Sequence, residues 1–278
     1  MQSPSSTESS SEYCLQKAMP EGSNLYYACL FEEDDCKQKI LALHAYLIEL
    51  TSILVECSDP GIARIKFQWW LEELDRLASQ QPRHPVTRYI QQKITIDNDL
   101  VRQLKRVVQA TDRLLLLEQP ESLQAAIGIF DQQAGIIWQQ CAKFCGNDDS
   151  INQVSKMAST YHYLHAILQS KTYVTEACCL IPADYIQKNM IFSMEQFDTE
   201  HQESFAKLID ALIGEMDKNL IALDKSDQNR LKHIVILNRI AKKTAVRMRT
   251  RNFPWSIDQV SIAPITKLLM AWWIKSTL

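Results

Sequence analysis

Apolar residues recur at three- and four-residue intervals along nearly the whole chain from Tyr26 onward, the period of helices that bury one face. Ile40, Leu43, His44, Leu47, Leu50, Thr51 and Leu54 trace one such face, which stops at Ser58-Asp59-Pro60-Gly61. A second helix runs over residues 62–79 with Ile65, Trp69, Leu71 and Leu74 inside, and ends ahead of Pro82. The same period predicts helices over residues 85–92, 99–117, 120–145, 151–173, 195–223, 226–250 and 264–276. Breaks at Gln119-Pro120, at Gly146-Asn147-Asp148 and at 224–226 read as turns between helices. No strand-like alternation lasts more than a few residues and no segment repeats, so the expectation is an all-α chain. Residues 1–22 are expected to be a disordered Ser-rich tail and residues 23–278 a single helical domain.

Composition narrows this further. Six glycines in 278 residues is about 2%, against a usual share of ~7%, which excludes hairpin-dense sandwiches and propellers. Hydrophobic residues make up 46% of the chain, enough for a large core, since chains of this size bury roughly three quarters of their unfolded surface. A net charge of −3 gives no field directed at nucleic acid. No stretch reaches ~18 uninterrupted apolar residues, so no transmembrane segment is expected. The end of the chain sets Leu268, Leu269, Met270, Trp272 and Trp273 between Lys267 and Lys275. Those aromatics are expected to pack on the core, with peripheral contact at a bilayer interface as the other reading.

The eight cysteines include no CxxC pair, and reduced thiols in a cytoplasmic protein are the expectation. Cys141 and Cys145 lie one turn apart, and His162 and His165 share a helix face, yet neither pair has the remaining ligands of a zinc site nearby. Lys242, Lys243, Arg247, Arg249 and Arg251 form a cationic stretch. It reads as a helix end whose cations favour the C-terminal dipole, or as a seat for an anionic head group.

Short strings then carry a resemblance. In order they are Tyr26-Tyr27-Ala28, Ala42-Leu43-His44-Ala45-Tyr46, Asp59-Pro60, Ala63-Arg64, Trp69-Trp70, Glu72-Glu73-Leu74 and His84-Pro85-Val86 with Arg88. Phe144-Cys145-Gly146, Ala158, Ala166 to Leu168, Leu180-Ile181-Pro182-Ala183-Asp184 and Lys267-Leu268-Leu269 with Ala271-Trp272 follow. From about Leu25 to Trp273 the chain resembles the squalene/phytoene synthase family, which joins two isoprenoid diphosphates head to head. The resemblance implies a single helical bundle of the isoprenoid synthase type with a central apolar cavity. It also implies two Asp-rich motifs whose carboxylates hold Mg²⁺ on the substrate diphosphates, with Arg and Tyr side chains seating the phosphates.

The chain departs from the family at those motifs. Where the first would place Arg and Asp, it has Ile48, Thr51, Ser52 and Val55, and the remaining acids are Glu49 and Glu56. These two are seven residues apart, about 10 Å of helical rise, which is far for one octahedral Mg²⁺; they read as solvated or salt-bridged. At the second motif Leu168 stands for Arg, and Gln169 and Tyr173 stand for the paired Asp. Neutral side chains do not replace carboxylates as Mg²⁺ anchors.

The resemblance therefore implies a degenerate member similar to the mitochondrial complex I assembly factor branch. Such a pseudoenzyme has no cofactor and binds an isoprenoid, a lipid or a protein partner, in the cytoplasm or peripherally at a membrane. Tyr26, Tyr27, Tyr46, Glu49, Gln169, Tyr173 and Arg247 are the candidate ligand-binding residues. The alternative is an active prenyl transferase with an altered Mg²⁺ site, drawing on Glu49, Glu56 and Glu176.

Overall fold

The structure, a computed structural model, describes residues 9–116, 118–146, 149–168, 180–185, 199–251 and 260–278. Among these residues it is built of helices without strands. Its centre is α3 (Asp34–Glu56), which carries eight consecutive buried residues from Ile40 to Leu47. A helix buried on every side must be surrounded by others. Around it pack α1 (Ser10–Ala18), α4 (Pro60–Ala78), α5 (Pro85–Lys93), α6 (Asn98–Arg113) and α8 (Ile136–Phe144). By length and composition α3 is also the one helix among the described residues apolar enough to cross a membrane.

Local signals set the boundaries. Asp59 caps α4 by accepting from the amides of Gly61 and Ile62, with Pro60 in the first turn. His84 does the same for α5 through Nδ1, which accepts from Val86 N at 3.2 Å. The second half contains α7 (Leu123–Gly128), α9 (Ile151–Leu168), α10 (Thr199–Ile221), α11 (Lys225–Arg230), α12 (Lys232–Thr250) and α13 (Pro264–Thr277). Helix α9 packs on α7, α8, α10 and α12, so it is the second central element. The short α2 (Asn24–Ala28) lies against α12 and α13.

Several expectations are corrected. The supposed tail through residue 22 contains α1, because Ser9 and Glu12 form a reciprocal capping box (Glu12 N to Ser9 Oγ, 3.2 Å; Ser9 N to Glu12 Oε2, 2.9 Å). That helix buries Cys14 and Ala18 against α3 and α5; residues 1–8 lie outside the described residues. The stretch 120–145 is not one helix but α7, a π-helical turn at Asp131–Gly135, and α8. There α9 comes so close that a Cβ on Gly135 would collide with the Ser155 hydroxyl. The stretch 226–250 breaks at Leu231, between α11 and α12.

The cysteines are not all reduced: Cys36 at the start of α3 is bonded to Cys145 just beyond α8, with Cα atoms 5.7 Å apart. A separation of 109 residues hides this pairing from any local spacing rule. Cys14, Cys29, Cys57 and Cys141 are free. The terminal aromatics do not pack on the core either. On α13 it is Lys267, Ala271 and Ile274 that face inward, whereas Trp272 and Trp273 are 57% and 51% exposed. Lys267 turns in because its ammonium donates to Gly22 O at 3.0 Å and lies over the Tyr27 ring.

Candidate functional site

The two central helices enclose a cavity of about 390 Å³, within the roughly 300–1,000 Å³ range of small-molecule sites. One face of α3 supplies His44, Leu47, Ile48, Thr51 and Leu54, positions that helical geometry aligns. Helix α9 supplies Tyr161, His162, His165 and Ala166 from the other side. Asn24 and Leu25 of α2, Gln133 of the π turn, and Leu114 and Leu115 beyond α6 close it. The polar groups among these are all uncharged types or histidines. Among the described residues no carboxylate, Lys or Arg lines this cavity.

The histidines are neutral at physiological pH. Burial lowers His44 to about 3, with the neighbouring His233 adding to the shift. Burial lowers His165 to about 4, helped by Lys267, and drives His162 well below its ordinary value. Burial also pushes the Tyr161 hydroxyl up to about 12, against a small opposing effect of Asn24, whose amide lies 3.5 Å from it. These rings form one cluster: Tyr161 is 4.4 Å from His165 and 5.2 Å from His162, and Trp138 is 6.0 Å from His162 and 6.2 Å from His44. Thr51 does not present a free donor, because its hydroxyl bonds back to Leu47 O and Ile48 O at 3.1 and 3.2 Å.

The opposite face of α3 opens on a different, smaller pocket of about 190 Å³, lined by Glu49, Ser52, Ile53 and Glu56 with Lys66, Trp69, Trp70 and His84. Glu49 accepts from Tyr13 Oη at 2.7 Å and pairs with Lys17 at 3.3 Å. The two glutamates thus share a face, as their spacing suggests, and that face points away from the large cavity.

The sequence model of the squalene/phytoene synthase family matches residues 19–264. The chain belongs to that family. The structure is similar to the squalene synthase HpnC from Alicyclobacillus acidocaldarius, with a TM-score of 0.69 over 87% of this chain and 94% of that chain at 12% identity. That likeness is one of fold. No curated protein sequence matches the chain significantly.

Against the squalene/phytoene synthase pattern, the positions of the first Asp motif divide between environments. Ile48 and Thr51 face the large cavity, Ser52 and Glu56 face the small pocket, and Val55 is 43% exposed. Leu168 is buried; Gln169, Tyr173 and Glu176 lie outside the described residues. The Mg²⁺ that the family implies does not fit the donors in place: among the described residues no three His, Cys, Asp or Glu side chains are disposed to hold a metal. Of the other candidates, Tyr46 is fully buried and donates to Leu104 O at 2.8 Å. Tyr26 and Tyr27 pack edge to face on each other.

The cationic stretch is largely paired: Lys242 with Asp217 at 2.6 Å and Arg249 with Asp210 at 3.2 Å, while Arg247 donates to Ser261 O at 2.9 Å. Sequence reading missed the residues that dominate the cavity, His44, Tyr161, His162 and His165, as ligand candidates. Their signal was three histidines on otherwise apolar faces of two buried helices.

Proposed function

We propose that this squalene/phytoene synthase family member is a pseudoenzyme that binds an isoprenoid or lipid in the large cavity. The supporting observation is the split of α3: the face on the cavity carries Ile48 and Thr51, while Glu49 and Glu56 line the other pocket. A metal clamp on a leaving diphosphate contributes several kcal/mol to its departure, and about 1.4 kcal/mol is a factor of ten in rate. The described lining has nothing to supply that stabilisation. Purified protein given farnesyl or geranylgeranyl diphosphate with Mg²⁺ is expected to form no head-to-head product by chromatography. A product lost on Glu49→Ala or Glu56→Ala would overturn the reading in favour of a transferase with an altered metal site.

Peripheral membrane contact belongs to the same proposal. Ile265, Leu268, Leu269 and Trp272 form an exposed stripe on α13, a helix with no acid whose exposed cation is Lys275. Apolar and aromatic side chains with cations suit the interface of an anionic bilayer. The protein is expected to co-sediment with phosphatidylglycerol vesicles, and Leu269→Ser with Trp272→Ser to reduce the bound fraction severalfold. Equal sedimentation of wild type and variant would remove this part of the proposal.

A further inference from the structure

The cavity gathers its imidazoles at one end and carries no charged side chain among its described lining. Along α3 the distance from His44 to Leu54 is ten residues, about 15 Å. At the His44 level sit Trp138, His162 and Tyr161, within ring distances of 5.2 to 6.2 Å of one another in sequence. Beyond Leu54 the wall continues with Cys57 and Ser58 and then Pro60, and Leu114 and Leu115 also line it. Pro60 and the two leucines are brought there because the start of α4 meets the end of α6, where Arg64 and Asp112 are 4.0 Å apart. The imidazole end also holds an unspent group: His162 Nε2 is buried without a hydrogen-bond partner, which a native fold normally avoids.

We infer that this cavity takes an amphiphile with an uncharged oxygen head, a hydroxyl or carbonyl on an isoprenoid-like chain, in place of a diphosphate. The inference rests on the proposed binding role and names the chemistry of its ligand. A buried diphosphate needs cations or a metal to offset its desolvation, and the described walls have neither. Neutral imidazoles each offer one N–H and one acceptor nitrogen, and the Tyr161 hydroxyl both donates and accepts, a set matched to a group such as an alcohol. Burial keeps His44, His162 and His165 in that neutral form. The rest of the cavity is mainly apolar, with Leu47, Ile48 and Leu54 on one side and Leu114 and Leu115 on another, and the uncharged Ser23, Thr51, Cys57, Ser58 and Gln133 among them.

The test is equilibrium dialysis of the full chain with four radiolabelled probes: farnesol, farnesyl diphosphate, farnesyl diphosphate with Mg²⁺, and the hydrocarbon farnesene. Farnesol is expected to bind at least tenfold more tightly than the diphosphate, with Mg²⁺ leaving the latter unchanged, and at least tenfold more tightly than farnesene. Tighter or Mg²⁺-dependent binding of the diphosphate overturns the inference while a ligand-binding cavity stands. Equal binding of farnesol and farnesene also overturns it, because the head is then not recognised. Binding of none of the four overturns the proposed binding role itself. In His162→Phe and His165→Phe, which keep an aromatic ring, farnesol affinity is expected to fall at least tenfold and farnesene affinity to hold; unchanged farnesol affinity in both rejects the histidine cluster as the head site.

Discussion

Glu73 shows how a residue that marks the family can serve the fold instead of the chemistry. Its carboxylate is fully buried, and it accepts from Arg83 N at 2.6 Å, His84 N at 2.8 Å, Thr87 Oγ1 at 2.6 Å and Arg76 Nε at 2.7 Å. Burial works to raise its pKa, but the bonds from Thr87, His84, Arg76 and Arg83 together hold it below the ordinary carboxylate value. It thereby fixes the turn from α4 into α5 and the His84 cap. Glu73→Ala strands two backbone amides and removes the partner of Arg76 Nε, and breaking such a buried network costs about 3–5 kcal/mol. Urea denaturation is expected to show a loss of that order; a variant within about 0.5 kcal/mol of wild type, the scale of ordinary surface changes, would mean the network is not formed. The neighbouring Glu72, exposed and 3.8 Å from Arg76, should tolerate the same change, as isolated surface pairs do.

At the scale of elements, period and capping residues made most helices readable, because both act within a few residues of one another. The Asp59-Pro60 start of α4 is a local event, and the sequence period finds that helix but begins it two residues late, at Ile62. What escaped reading depends on contacts between distant segments. The π turn at Asp131–Gly135 packs against Ser155 of α9, a contact distant in sequence. The capping box of α1 was legible in principle but lay hidden in Ser-rich composition. The cavity itself was implied by the family resemblance; its histidine cluster was not, since His44 and His162 are joined through Trp138 of α8, which packs on both α3 and α9.

The Cys36–Cys145 link is the clearest such case, and it ties α3 to the end of α8. Closing a loop of 109 residues removes unfolded-state entropy that a chain-entropy treatment values at about 4–5 kcal/mol. Cys36→Ser is expected to lower the melting temperature by several degrees, as reductant should on wild type, while leaving Cys36→Ser itself insensitive to reductant. Free labelling of both cysteines by iodoacetamide in the folded, unreduced protein would show that the bond does not form.

For the molecule as a whole, buried neutral histidines and low-pKa carboxylates make stability depend on pH with a single sign. His44 and His165 have folded-state values of about 3 and about 4, His162 is held well below its ordinary value by burial, and each titrates near 6.5 once unfolded. Between those values the unfolded chain binds more protons than the folded one, so unfolding free energy rises with pH. The histidine contribution is complete above about pH 6.5 and is lost as pH falls toward 4. Glu32 acts in the same direction lower down: burial raises its pKa, but its bonds with His233 at 2.9 and 3.1 Å, together with the charges of His233 and Lys232, bring it below its ordinary value. Its contribution, like that of Glu73, is therefore lost as pH falls below the ordinary carboxylate value near 4.5. With about 1.4 kcal/mol for each pKa unit between the states, the total loss from pH 7 to pH 4 is of the order of several kcal/mol. Urea midpoints across that range should fall steadily from about pH 6.5 downward. His165→Phe removes one of the titrating groups and should flatten the slope while leaving its sign. A stability that is flat between pH 7 and 5 would mean the imidazoles reach bulk water, and the cavity would then be an open, hydrated cleft in which neither their neutrality nor the selectivity for an uncharged head would survive.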